Sequence, residues 1–91
     1  MGPTVTDNPE RSRYELTEMG LTSFAQYRRS GNQLIVTHVE SPPALRGKGT
    51  AARLMAGIAA KARDEGFRIK PLCSYAILWF RRHPEFDGVL A

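Results

Sequence analysis

The chain of 91 residues contains one cysteine and two histidines, and this scarcity excludes several classes of protein. A lone cysteine, Cys73, cannot form an internal disulfide, so a reducing, cytoplasmic location is expected. Cys73, His38 and His83 are too few and too scattered for a structural zinc site, so no metal site is assigned. No apolar run approaches the roughly 20 residues that a membrane-spanning helix needs, so no membrane partner is expected.

The first twelve residues, MGPTVTDNPERS, contain two prolines and several polar side chains, and they lack an apolar signal core. We expect residues 1–12 to be a flexible lead-in, because this composition is typical of frayed chain ends. A chain of 91 residues fits one domain with a small core, and no repeat or low-complexity tract divides it. The predicted domain therefore spans residues 13–91.

Basic residues outnumber acidic ones, thirteen to nine, which gives a formal net charge of +4. This charge favours an anionic partner, such as a phosphorylated cofactor or nucleic acid, and argues mildly against a strongly cationic acceptor. The charges are spread along the chain and the aromatic residues follow patterns typical of a core. A small basic nucleic-acid-binding protein is therefore the weakest of the functions considered.

Three segments have the composition of β-strands and are separated by short turn signals. Their order and spacing predict an antiparallel meander of Arg13–Glu18 (RYELTE), Leu21–Ser30 (LTSFAQYRRS) and Gln33–Glu40 (QLIVTHVE).

Apolar side chains at helical spacing predict a helix over residues 49–65, which Gly66 ends. Residues 67–73 (FRIKPLC) predict a fourth strand, and Ser74 is predicted to cap a second helix over residues 75–82. The order β-β-β-α-β-α predicts an α/β fold (α+β by some schemes), with a meander followed by a right-handed crossover between parallel strands. Such units bind ligands at the carboxyl ends of the strands, beside the helix N-terminus.

The stretch ALRGKGTA places two glycines, Gly47 and Gly49, and two cations, Arg46 and Lys48, immediately before the first predicted helix. Glycines let the backbone approach a ligand closely, and a helix N-terminus binds phosphate through its free N–H groups and its dipole. The spacing matches neither a Walker A loop nor the Gly-x-Gly-x-x-Gly dinucleotide motif. Taken alone, the loop leaves phosphate binding and plain helix capping equally open.

The run RGKGTA resembles the Arg/Gln-x-x-Gly-x-Gly/Ala signature of the GNAT superfamily of N-acetyltransferases. The segments THVESPPALRGKGTAARL, KPLCSY and RRHPEF also resemble hallmark segments of the minimal single-domain branch of that superfamily. The resemblance covers about residues 13 to 88 and implies a compact fold that holds acetyl-coenzyme A (acetyl-CoA) between two splayed strands. Larger members have additional helices after the first strand, so here the acceptor pocket is expected to be open or completed by a partner.

The resemblance also implies how the coenzyme would be held. The pantetheine arm would lie between the strand ending at Glu40 and the strand ending at Cys73, paired with backbone groups near Val39. The pyrophosphate would rest on backbone N–H groups of one loop, formed by Arg46, Gly47, Lys48, Gly49, Thr50 and Ala51.

Candidates for the chemistry lie on the strands beside that slot. Side chains alternate along a strand, so Leu34, Val36, His38 and Glu40 are predicted to share one face. Histidine titrates near neutral pH, which makes His38 the candidate general base, with Glu40 as the alternative base. A hydrogen-bonded strand histidine and a solvated strand-end glutamate are the structural alternatives.

Cys73 precedes a predicted helix N-terminus, which favours the thiolate form of a cysteine. It is a candidate to accept the acetyl group, with His38 as base, and the resembling branch has the corresponding histidine and cysteine proposed for catalysis. The alternative is a small buried hydrophobic residue, which is what most free cysteines are. Direct transfer without an acyl-enzyme stays open.

These observations predict an acetyltransferase that moves an acetyl group from acetyl-CoA to an acceptor, with an amine as the expected acceptor class. The alternative is a coenzyme A-binding or acyl-coenzyme A-binding module with little catalysis. The sequence does not identify the acceptor, which could be a small amine, a peptide or a protein, and a monomer or weak dimer is expected.

Overall fold

The computed structural model describes residues 4–91, and its centre is one five-stranded sheet with the strands in sequence order. The first four strands pair antiparallel, whereas the fourth and fifth pair parallel through the crossover helix. The strands are β1 (Thr6–Asn8), β2 (Arg13–Glu18), β3 (Leu21–Ser30), β4 (Gln33–Glu40) and β5 (Arg68–Pro71).

Tight turns set the register of the meander. Glu18 pairs with Leu21 and Ser30 pairs with Gln33, so each connection contains only two residues. In the first turn both Met19 and Gly20 have positive φ angles, 55° and 74°, as a two-residue hairpin requires. The predicted bounds of β2, β3 and β4 are confirmed. They could be predicted because turn-forming residues separate these strands.

Two helices, α1 (Thr50–Glu65) and α2 (Ser74–Arg82), cover one face of the sheet. Gly66 ends α1 with a φ of 83° and donates its N–H to the Ala62 carbonyl, a left-handed ending that glycine accepts without strain. The core lies between the helices and the sheet, and its fully buried members include Leu34, Val36, Leu54, Met55, Ile58, Ala59, Ile69 and Ala76. The α/β class and the meander plus parallel crossover are therefore confirmed.

The other face of the sheet, which we call the open face, carries the side chains that alternate with the buried ones. Thr17, Gln26, Arg28, His38 and Lys70 on this face are all exposed. The helices thus bury one face of the sheet and leave the other available to a ligand.

Both ends of the described chain add structure that the sequence analysis did not predict. Residues 1–3 of the expected flexible lead-in lie outside the described residues. The rest of it contains β1 and a short 3-10 turn, and Val5 is buried against Gly57 of α1. The three residues of β1 are all polar, so the sequence shows no apolar strand pattern there. The strand is held by the neighbouring Val5 and by pairing with β2. At the other end, a 3-10 segment, Pro84–Val89, leads to Leu90, which forms a parallel bridge with Ile69.

Within residues 4–91, no helix is both long and apolar enough to cross a membrane.

Candidate active site

The parallel strands β4 and β5 separate halfway along β4. Their pairing ends at Val36 and Pro71, and the last hydrogen bond runs from the Leu72 N–H to the Val36 carbonyl, at 2.9 Å. Pro71 has no N–H to donate, and the chain turns into α2 three residues later. The second half of β4 therefore has β3 on one side and a gap on the other, as the resemblance implied for splayed strands.

A β-bulge at Thr37 changes the orientation of β4 at this gap. Val36 pairs with Tyr27 and His38 pairs with Gln26, so Thr37 is the extra residue of β4. After the bulge Val39 pairs with Ala25, and because Ala25 and Tyr27 are two apart, Val39 and Val36 point the same way. Their backbone groups face away from β3, so the N–H and C=O of Val39 face the gap.

The bulge makes one prediction wrong. Leu34 and Val36 face the helices, whereas His38 and Glu40 lie on the open face, so the four do not share a face. The alternation of side chains between the two faces is interrupted at the extra residue Thr37, and the strand sequence contains no signal for this bulge. His38 and Glu40 still lie on the same side as each other, as predicted.

A groove of about 440 Å³ lies on the helix side of the gap, between β4, the loop before α1 and the start of α2. It brings together most of the residues that the sequence analysis associated with the coenzyme, while Lys48 lies outside its lining. The predicted residues along the groove are Val39, Glu40, Arg46, Gly47, Gly49, Thr50 and Ala51. Ser41, Leu45 and Ala52, which the sequence analysis did not assign to the site, also line it, as does Tyr75.

The loop of residues 46–51, which we call the glycine loop, is shaped for an anion. Gly47 and Gly49 have φ angles of 78° and 80°, in the left-handed region that favours glycine. The first intrahelical bond of α1 is donated by the Arg53 N–H to the Gly49 carbonyl, and no side chain among residues 4–91 caps the helix. The N–H groups of Thr50, Ala51 and Ala52 are thus free for a ligand, beside the exposed side chains of Arg46 and Lys48.

The carboxylate of Glu18, on β2, is hydrogen-bonded to the glycine loop and to the first turn of α1. Glu18 accepts hydrogen bonds from the buried Thr50 hydroxyl, at 2.6 Å, and from Nε and Nη2 of Arg53, at 2.8 and 2.7 Å. Hydrogen bonds from Arg53 and Thr50 lower the pKa of Glu18 from 4.5 to about 2. Sequence reasoning missed this cluster because 35 positions separate Glu18 from Arg53 and only the sheet topology brings them together.

His38 and Glu40 form a pair on the open face, beside the gap. His38 Nε2 lies 3.7 Å from Glu40 Oε2, and each side chain is about half exposed. The ring of Phe24, which pairs with Glu40 across the ladder, lies 6.3 Å from the His38 ring. Glu40 also borders the groove, whereas His38 is outside its lining.

Cys73 begins α2 and is outside the lining of the groove. Its Sγ accepts a hydrogen bond from the Ala76 N–H at 3.4 Å, so Cys73 is the N-cap in place of the predicted Ser74. The side chain is half-buried and packs against the core. This geometry gives the thiol a capping role and does not place it with Val39 in the groove.

Tyr75, in the first turn of α2, lines the groove opposite the glycine loop. Burial raises the pKa of Tyr75, and the charge of Arg82 opposes that rise. The hydroxyl therefore stays protonated at neutral pH and is available as a donor. His83, in contrast, bonds through Nδ1 to the Trp79 carbonyl and stacks on the Trp79 ring, as expected for part of a helix terminus.

A helix N-terminus without a side-chain cap, beside two parallel strands that separate, is the arrangement that the sequence resemblance implied. The family model of GCN5-related N-acetyltransferases matches residues 13–89, and the chain belongs to this family.

The solution NMR structure of a GCN5-like protein from Staphylococcus aureus has a similar fold, with a TM-score of 0.74 at 17% sequence identity. The similarity covers 99% of this chain and 89% of the other. No curated protein matches the chain.

Proposed function

We propose that the protein transfers an acetyl group from acetyl-CoA to an amine acceptor. The observation that supports this most directly is the groove, in which a glycine loop with free helix N–H groups adjoins the gap beside Val39. Residues of these types at these positions suit a long ligand with a pyrophosphate at one end and amide groups further along. Acetyl-CoA has this chemistry.

The glycine loop would hold the pyrophosphate. Free N–H groups and the positive end of the α1 dipole stabilise the phosphates, and the exposed Arg46 and Lys48 side chains add charge. The left-handed backbone at Gly47 and Gly49 lets the loop curve around an anion without a β-carbon in the way.

The gap beside β4 would hold the pantetheine arm. The N–H and C=O of Val39 face the gap, so they would pair with an amide of the arm as an added strand pairs with a sheet edge. This pairing would align the thioester at the gap, where the groove reaches the open face of the sheet.

The acceptor amine would approach from the open face, where His38 and Glu40 lie 3.7 Å apart. One of the pair would take a proton from the amine, whose nitrogen attacks the thioester carbonyl carbon. The carbon–sulfur bond then breaks, and the leaving thiolate would take a proton from a donor such as the Tyr75 hydroxyl, which lines the groove.

A route through acetyl-Cys73 is the second form of the same proposal. In it the Cys73 thiolate would attack the thioester first and pass the acetyl group to the amine, with His38 as base. The capping contact between Sγ and the Ala76 N–H argues for direct transfer, because it fixes the sulfur at the start of α2, outside the groove lining.

Titration calorimetry with acetyl-CoA, followed by a screen of amines, peptides and proteins as acceptors, tests the proposal. We expect acetyl-CoA to bind, a single-stranded oligonucleotide not to bind, and free thiol to appear with at least one acceptor. Intact mass after incubation with acetyl-CoA alone reports an acetyl-enzyme. A wild-type protein without acetyl-CoA binding would contradict the proposal.

A coenzyme A-binding module with little catalysis is the second candidate. It is favoured by one observation, that neither His38 nor Cys73 lines the groove. Tight binding of acetyl-CoA without transfer to any acceptor in the screen would support this candidate against the enzyme.

A further inference from the structure

The contacts of Glu18 reach the glycine loop at two residues, directly at Thr50 and through Arg53 at Lys48. Its carboxylate accepts from the Thr50 hydroxyl and from two nitrogens of Arg53, and Nη2 of the same Arg53 donates to the Lys48 carbonyl at 2.9 Å. One carboxylate on β2 is thus connected to both ends of the turn that contains Gly49.

The position of Arg53 also depends on Gly49. A β-carbon at Gly49 would lie 3.0 Å from Arg53 Nη1, closer than nine in ten real contacts of this kind. The guanidinium therefore packs directly under the loop backbone, in space that only glycine leaves.

The charge of Arg53 is already balanced. The bidentate contact with Glu18 matches the fork of the guanidinium to a carboxylate, the strongest geometry for such a pair. Arg46 and Lys48, in contrast, are exposed and make no ion pair among residues 4–91. Arg53 thus suits a structural role under the loop, and the two exposed cations suit contact with a ligand.

We infer that Glu18 is a positioning residue for phosphate binding, which acts by fixing the glycine loop through Arg53 and Thr50. This inference rests on the proposed function, because the ligand of the loop is the pyrophosphate of coenzyme A. The carboxylate itself does not touch the ligand. It keeps the loop in the anion-binding shape before the ligand arrives, so that little ordering entropy is lost on binding.

NMR titration of ¹⁵N-labelled protein with coenzyme A and, separately, with pantetheine tests the inference, because pantetheine lacks the pyrophosphate. Glu18→Gln should raise the Kd of coenzyme A roughly tenfold, because the loop of the variant would have to be ordered when the ligand binds. The Kd of pantetheine should change less than about twofold, and the Gly47 and Gly49 amide signals of the free variant should shift or broaden.

Arg53→Lys separates geometry from charge. Lysine keeps the positive charge but cannot form the bidentate contact, so it should weaken coenzyme A binding about as much as Glu18→Gln does. Glu15→Gln is the matched control, since Glu15 is another β2 carboxylate and pairs with Arg13 at 2.6 Å on the open face. It should bind both ligands as the wild type does.

The possible failures are distinguishable. Wild-type binding of coenzyme A that Glu18→Gln leaves intact would overturn this inference alone. An equal loss of both ligands with a lower Tm would also overturn it, because it would show a general structural role. A wild-type protein that does not bind coenzyme A would overturn the proposed function and this inference together.

Discussion

Val36 and Val39 point to the same face of the sheet although three positions separate them, because Thr37 is the extra residue of a bulge. The bulge lies where the pairing of β4 with β5 ends. It therefore changes the direction of the β4 side chains at the same point where the gap begins. It sends His38 and Glu40 to the open face while the backbone of Val39 stays directed at the gap. The proposed coenzyme and acceptor sides of the reaction are therefore on opposite faces of the sheet.

Substitution of the open-face pair should lower turnover without weakening coenzyme binding. Each of His38→Gln and Glu40→Gln should lower kcat by about 10²-fold, the scale of general base catalysis, and leave the Kd of acetyl-CoA within about twofold. If the two act as a unit, the double variant should lose no more than the worse single variant. Gln26→Ala, which removes the ladder partner of His38, is the control. Wild-type turnover in the double variant would exclude a base role for either residue.

Two substitutions of Cys73 distinguish chemistry from capping. Serine is a preferred N-cap, so Cys73→Ser should keep the stability of α2, whereas Cys73→Ala should cost about 1 kcal/mol in the free energy of unfolding. Under direct transfer, Cys73→Ser should retain turnover. Loss of turnover in a folded Cys73→Ser variant, with loss of an acetyl adduct by intact mass, would establish the acyl-cysteine route instead.

Most of the fold could be predicted from the sequence because the residues that end its strands and helices are local signals. Gly20, Gly31 and Gly66 mark two turns and a helix end, and the structure ends its elements there. The short strand β1 could not be predicted, since three polar residues carry no apolar pattern and the strand depends on pairing with β2.

The site was less predictable from the sequence than the fold. The glycine loop has a local signature, so its position at the start of α1 was expected. Glu18 under that loop depends on sheet topology, and the bulge at Thr37 has no composition signal, so neither could be read from neighbouring residues.

Alanine at the two glycines of the loop should have unequal effects. Both positions are left-handed, so either substitution should cost about 1 kcal/mol or more in the free energy of unfolding. Gly49→Ala should cost more, because its β-carbon would press on Arg53 while nothing lies within 4 Å of a β-carbon at Gly47. Urea denaturation measures both. A larger loss for Gly47→Ala would contradict the packing of Arg53 under the loop.

Gly57→Ala should destabilise the protein although alanine is the better helix former. A β-carbon at Gly57 would overlap Cγ2 of Val5. The gain of about 1 kcal/mol in helix propensity should therefore be outweighed by roughly 1–3 kcal/mol of overpacking. On a Val5→Ala background the same change should be neutral or stabilising, and the two free energies should couple. If Gly57→Ala stabilises the wild type, Val5 does not occupy this space in solution.

Acidification should remove the stabilisation that the contacts of Glu18 with Arg53 and Thr50 give to the folded state. The folded-state pKa of about 2 lies below the ordinary 4.5, so the charged carboxylate stabilises the folded state above pH 4.5. That contribution should be lost as the pH falls from 4.5 through 2, where the folded-state carboxylate takes up its proton. Glu18→Gln has no such proton to bind, so its free energy of unfolding should fall less steeply than that of the wild type. Urea denaturation of both proteins from about pH 6 downward measures the difference in their free energies of unfolding. The pKa of Glu15 is lowered too, but both proteins contain Glu15, so its contribution cancels in the difference. Parallel curves for the two proteins would show that Arg53 and Thr50 do not hold the Glu18 carboxylate in solution.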